Sequence, residues 1–171
     1  MLWRSLLIAA TLALAGCQVR PLYLDAAASG PLAPNADLRA ILIDQPGDRT
    51  VQVMRNELSF LLRGDGSAPQ SPAYRLRLIV DTSTDNLAVE LEEDLPSAVL
   101  VALNGTFILS EIDTERTLLT GAVTTTASYD FSSQRFANVR AEKDAKARAA
   151  KSAAESVGAR LAAYFAARRG S

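Results

Sequence analysis

The most regular pattern in the chain is a two-residue alternation late in the sequence. Leu119, Gly121, Val123, Thr125, Ala127, Tyr129 and Phe131 share one parity, and Thr120, Thr124, Thr126, Ser128 and Asp130 share the other. Successive side chains of a strand point to opposite faces, so this segment predicts a long strand with one side on a core and one toward water or a partner. Two more strands precede it. Tyr74, Leu76, Leu78 and Val80 alternate with Arg75, Arg77 and Asp81; polar residues from Asp81 to Asn86 interrupt the pattern, and Leu87, Val89 and Leu91 resume it. A second long strand runs from about Ala98 to Ile112, with Val99, Val101, Leu103, Phe107 and Leu109 on one parity. Glu92-Glu93-Asp94 with Pro96, and then Asp113-Thr114-Glu115-Arg116, are the polar turns between these strands.

Elsewhere the period is helical. Val51, Met54, Leu58, Leu61 and Leu62 form one apolar face, with Asp48 as N-cap and Gly64 as C-terminal stop. Ahead of that helix, Leu38 to Ile43 predicts a short strand closed by the turn Asp44-Gln45-Pro46-Gly47. Arg135 to Arg169 is alanine-rich and free of proline, with Ala150, Ala154, Val157, Leu161, Tyr164 and Phe165 along one helical face. The order β-α-β-β-β-α predicts an α+β two-layer sandwich: a mostly antiparallel four-stranded sheet with two helices on one face. The first strand is separated from the others by a helix, so it pairs at an edge or in parallel.

The N-terminus changes the picture from a free domain to a tethered one. Arg4 is followed by an apolar run from Leu6 to Leu14, the length of a signal h-region and too short for a spanning helix of roughly 20 residues. The run ends in Leu14-Ala15-Gly16-Cys17, which resembles the lipobox of bacterial lipoproteins. Residues 1–16 are expected to be removed as a signal peptide. Cys17, the only cysteine, is expected to carry a diacylglycerol and an N-acyl chain as the first mature residue. At about 0.8 kcal/mol per buried CH₂, such chains hold a protein at a membrane essentially permanently. An ordinary signal peptide with a chance cysteine, or an anchor helix, is the plainer alternative. Residues 17–35 hold Pro21, Pro31 and Pro34 with Ser29-Gly30 and predict a flexible tether; residues 36–171 form a single domain.

Charge and chemistry subtract more than they add. The chain is at net −1 with no histidine, which gives no case for nucleic acid and removes the commonest acid–base group and zinc ligand. Glu90, Glu92, Glu93 and Asp94 cluster near the first hairpin tip but lack the spacing of a calcium loop, so a solvated acidic tip is the better reading. No G-x-S-x-G occurs, and Gly64-Asp65-Gly66-Ser67 lacks the lysine of a phosphate loop. Neither an enzyme nor a metal or cofactor beyond the acyl chains is expected. Arg135, Arg140, Lys143, Lys146 and Arg148 gather at the start of the last helix, partly offset by Glu142 and Asp144. Cations there oppose the helix dipole, so the cluster is either a solvated face or a phosphate-binding patch.

Several fragments together resemble the LptE family of lipopolysaccharide-assembly lipoproteins, in its alphaproteobacterial form. They are Cys17-Gln18-Val19-Arg20-Pro21-Leu22-Tyr23, Gln52-Val53-Met54-Arg55-Asn56-Glu57-Leu58, Tyr74-Arg75-Leu76, Tyr129, Phe136-Ala137, and the run from Asp144 to Ala150. The resemblance covers essentially the whole mature chain through the order and spacing of weak motifs. It implies an outer-membrane protein on the periplasmic side, plugging the LptD β-barrel, helping it assemble and binding lipopolysaccharide. It also implies that Lys143 is the basic residue at the start of the last helix that contacts lipopolysaccharide. The family's arginine between the first two long strands has no counterpart here, where the sequence reads Glu92-Glu93-Asp94-Leu95-Pro96. The rival reading is an auxiliary lipoprotein of an envelope lipid ABC transporter.

Overall fold

The computed structural model describes residues 35–64, 66–90 and 95–170. Cys17, the tether and most of the acidic tip lie outside them. The elements run α1 (Asn35–Arg39), β1 (Ile41–Ile43), α2 (Arg49–Arg63), β2 (Tyr74–Glu90), β3 (Leu95–Glu111), β4 (Thr117–Asp130) and α3 (Arg135–Gly170). The two-layer α+β sandwich is the one the patterning predicts, with one short helix added at the front. Leu38 to Ala40 were expected in the first strand. Instead the Ala40 N–H donates to the carbonyls of Ala36 and Asp37, closing a helical turn, so β1 keeps only Ile41–Ile43. The apolar Leu38 is buried, from a helix and not from a strand.

The sheet order is β1-β2-β3-β4. β1 pairs in parallel with the start of β2 at an edge, and the three long strands form an antiparallel meander. β2 is continuous across Asp81–Asn86, where the alternation fails in sequence. Thr84 and Asn86, on the helix-facing parity, are exposed, so this end of β2 extends past the helix layer and both its faces meet water. β3 begins at Leu95, earlier than the sequence indicates, with Pro96 opposite Val89. Phe131 falls just beyond the end of β4.

α2 starts and stops as its caps dictate. The Val51 N–H donates to Asp48 Oδ1 at 2.9 Å, and Gly64 takes the left-handed conformation at φ 84° while its N–H returns to the Phe60 carbonyl. One core lies between the helices and the sheet. It joins Met54, Leu58 and Leu62 of α2 to Leu76, Val101, Leu103, Phe107, Leu109 and Val123 of the sheet and to Val157, Leu161 and Phe165 of α3. Every sheet residue in that set has the same orientation, so both long helices cover one face and leave the other bare.

Candidate functional site: the start of the last helix

The link from β4 to α3 is fixed by one side chain. Asn138 folds back over Ser132, its Nδ2 donating to the Ser132 carbonyl at 2.7 Å while its Oδ1 accepts from the Ser132 N–H at 2.8 Å. The Gln134 N–H donates to Ser132 Oγ, and the helix begins at Arg135. This clamp fixes where the first two turns of α3 point.

The basic cluster divides once geometry is known. Lys146 pairs with Glu142 at 2.6 Å and Arg148 with Asp144 at 2.8 Å, both one helical turn apart. Arg148 also donates to the Ser128 carbonyl of β4 at 2.8 Å. These two cations are engaged in holding α3. Arg135, Arg140 and Lys143 are exposed and make no ion pair with a described residue. Lys143 shares the outward face with Phe136, Val139 and Arg140, at helical spacing. Phe136 is 87% exposed and Val139 45%. The remaining site is therefore three cations around two apolar side chains, a surface suited to an anionic amphiphile. Sequence reading found the cations, and Phe136 as part of the resemblance, but not that Phe136 and Val139 share a face with Lys143, for which their spacing was the available signal.

Behind this face stands Tyr129. Burial pushes its phenol above the usual range, Glu142 acts in the same direction, and Lys146 opposes them. Thr125, the polar residue on the core-facing parity of β4, is satisfied by donating to the Ala149 carbonyl at 2.9 Å. Thr124 donates to Asn104 Oδ1 on the bare face. The threonines of β4 are thus structural or solvent-facing, with no base aligned on any of them.

A second concavity, of about 340 Å³, lies on the bare face at the opposite end of the strands. Arg75, Arg77, Ser110 and Glu111 are among its walls. Asp44 sits 3.8 Å from Arg75 and 3.6 Å from Arg77, and Glu111 3.6 Å from Arg116. Its charges balance locally, which makes it a weaker anion site than the α3 start. Among the described residues no group of three or more acidic, cysteine or histidine side chains is placed to hold a metal. The acidic tip at Glu92, Glu93 and Asp94, like Cys17, lies outside the described residues, as does the side chain of Glu90.

No protein-family model matches the chain, and no curated protein is significantly similar to it. Solved structures do share its fold. A candidate lipoprotein from Caulobacter crescentus superposes with a TM-score of 0.64 at 20% identity, over 78% of this chain and 96% of that one. A minor lipoprotein from Acinetobacter baumannii gives 0.54 at 17% identity, over 72% and 88%. The rare lipoprotein B from Shewanella oneidensis gives 0.52 at 11% identity, over 75% and 93%. At these identities the likeness is one of fold, a sandwich recurrent among chains described as bacterial lipoproteins.

Proposed function

We propose that this chain is an outer-membrane lipoprotein of the LptE type. Acyl chains on Cys17 hold it at the periplasmic side of the membrane, where it plugs an LptD-like β-barrel. It helps that barrel assemble and takes part in moving lipopolysaccharide to the outer leaflet. The observation that carries this reading is a conjunction: a lipobox ending at Cys17 continues into the sandwich found in three solved lipoproteins. The bare sheet face supports it. Asn104, Thr106, Thr120, Thr124 and Thr126, around the exposed Ile79, give this face an uncharged polar region of the kind that suits a polar barrel lumen.

In this reading the protein acts by binding and shape, without catalysis or cofactor. The exposed face of Phe136, Val139, Arg140 and Lys143 is the contact for lipopolysaccharide, cations toward phosphates and apolar residues toward acyl chains. Pulldown of the native protein from detergent-solubilised outer membranes tests the reading. A large barrel protein is expected in about equal amount. Recovery of inner-membrane transporter subunits in its place would overturn the plug assignment.

A further inference from the structure

The open edge of β4 presents backbone groups in a definite pattern. The Asp44 N–H donates to the Leu76 carbonyl, so even-numbered residues at the start of β2 face β1. Alternation through the pairs Arg77↔Ile108 and Phe107↔Gly121 then turns odd-numbered residues of β4 toward β3 and even-numbered ones outward. Thr120, Ala122, Thr124, Thr126 and Ser128 therefore line the edge, and all five are exposed. α3 reaches two of their carbonyls: Arg160 donates to Ala122 and Arg148 to Ser128.

Natural sheets guard such edges with charge, proline or bulges. The stretch of β2 beyond β1 follows that rule, with Asp81, Asp85 and register shifts near Ala88. β4 does not. From Thr117 to Tyr129 it has no charged residue and no proline, and Val123 leads into three consecutive threonines, Thr124 to Thr126. Leu119 and Tyr129, on its helix-facing side, stay half-buried because they belong to the last strand of the sheet. A further strand would complete their cover.

We propose that the β4 edge takes up an extended segment of a protein partner by strand addition. The segment has an uncharged, β-forming centre and an acidic residue at the end that meets Ala122. The centre follows from the uncharged edge it must match. The acidic end follows from Arg160, which has no carboxylate partner among the described residues, whereas Arg148 shares its charge with Asp144. The same arginines count against a second copy as the occupant. Antiparallel pairing of two β4 edges with Ala122 opposite Ser128 brings Arg160 of one copy beside Arg148 of the other. This inference does not depend on which barrel or lipid the protein serves.

The probe is a synthetic heptapeptide, Glu-Thr-Val-Thr-Val-Thr-Glu, blocked at both ends and added at millimolar concentration to the full chain in detergent. Amide hydrogen exchange is read residue by residue. Slowing of about tenfold is expected at Ala122, Thr124 and Thr126, with odd-numbered β4 amides unchanged. The same peptide with lysine replacing both glutamates is expected to protect far less. A Thr124→Pro/Thr126→Pro variant removes two outward N–H groups without touching the pairing to β3, and is expected to lose the protection with its circular dichroism intact. Even-numbered amides that exchange equally fast with and without peptide overturn the proposal, whether or not the proline variant folds. Protection that instead rises with protein concentration in the absence of peptide overturns it in favour of a self-paired edge.

Discussion

At the scale of single residues, Gly121 shows how tightly the sheet face is fitted. A Cβ built there would lie 2.6 Å from Phe107 Cζ and 2.7 Å from its Cε1, and 3.4 Å from Arg160 Nη1. Phe107 is a fully buried ring on a central strand, so it has nowhere to retreat. Gly121→Ala is expected to destabilise the fold by about 1–3 kcal/mol, the usual range for overpacking, measured by urea unfolding. An unchanged midpoint would mean the ring shifts freely. Lys143 is the opposite case. It is exposed and outside any described ion pair, so Lys143→Glu is expected to leave the unfolding midpoint nearly unchanged. Loss of one exposed charge contact, roughly 1 kcal/mol, is expected to weaken lipopolysaccharide retention about fivefold. Equal retention by a well-folded variant would remove Lys143 from the site. Sequence indicated that Glu142 and Asp144 partly offset the basic cluster, and in the structure that offset falls to Lys146 and Arg148, each four residues from its partner. Sequence could not indicate that Arg148 also reaches across to the Ser128 carbonyl, because that contact depends on where α3 crosses β4.

At the scale of elements, α3 holds the sandwich together with alanine. Ala145, Ala149, Ala153, Val157, Leu161 and Phe165 are buried at a constant four-residue interval, and Ala150, Ala154 and Ala162 form a parallel row. That interval drifts around the helix, so the buried stripe winds and keeps contact with a twisted sheet. The small residues at the start bring the backbone close to β4, close enough for Thr125 to bond the Ala149 carbonyl. Ala153→Leu is expected to push α3 off the sheet and cost about 1–3 kcal/mol, with the near-ultraviolet aromatic signal broadened before helicity falls. A stabilised protein would instead reveal a void the packing does not suggest. The long strands and both long helices were legible because each carries a strong period and recognisable ends. α1 was not, since a five-residue element gives no period, and Leu38-Arg39-Ala40 runs without a break into the apolar Ile41–Ile43. The middle of β2 escaped for another reason: beyond the helix layer both faces meet water, and alternation no longer has a cause.

At the scale of the whole molecule, the two ends of the sandwich are each closed by a tyrosine. Tyr74, at the start of β2, packs on Phe165 with ring centroids 5.0 Å apart and donates to Asp37 Oδ1 at 3.3 Å, joining α1, the sheet and the end of α3. Tyr129, at the far end of β4, sits under the Glu142–Lys146 pair. Burial leads in raising both phenols above their ordinary value, with Asp37 adding at Tyr74 and Glu142 at Tyr129. The sign of the consequence follows from linkage. A phenol raised in the folded state loses its proton first in the unfolded chain, so its contribution is intact below about pH 10 and is lost as pH rises through the folded value. The chain has no histidine, so no imidazole titrates between neutral pH and that window. Stability is therefore expected to decline above about pH 10, and Tyr129→Phe, which cannot ionise there, to decline less steeply. Adding Tyr74→Phe is expected to flatten the slope further while lowering stability at neutral pH, because the bond to Asp37 goes with the hydroxyl. Denaturant unfolding of the three proteins between pH 8 and about pH 11 measures this directly, and parallel slopes would show that the two ends of the sandwich do not hold their phenols against ionisation.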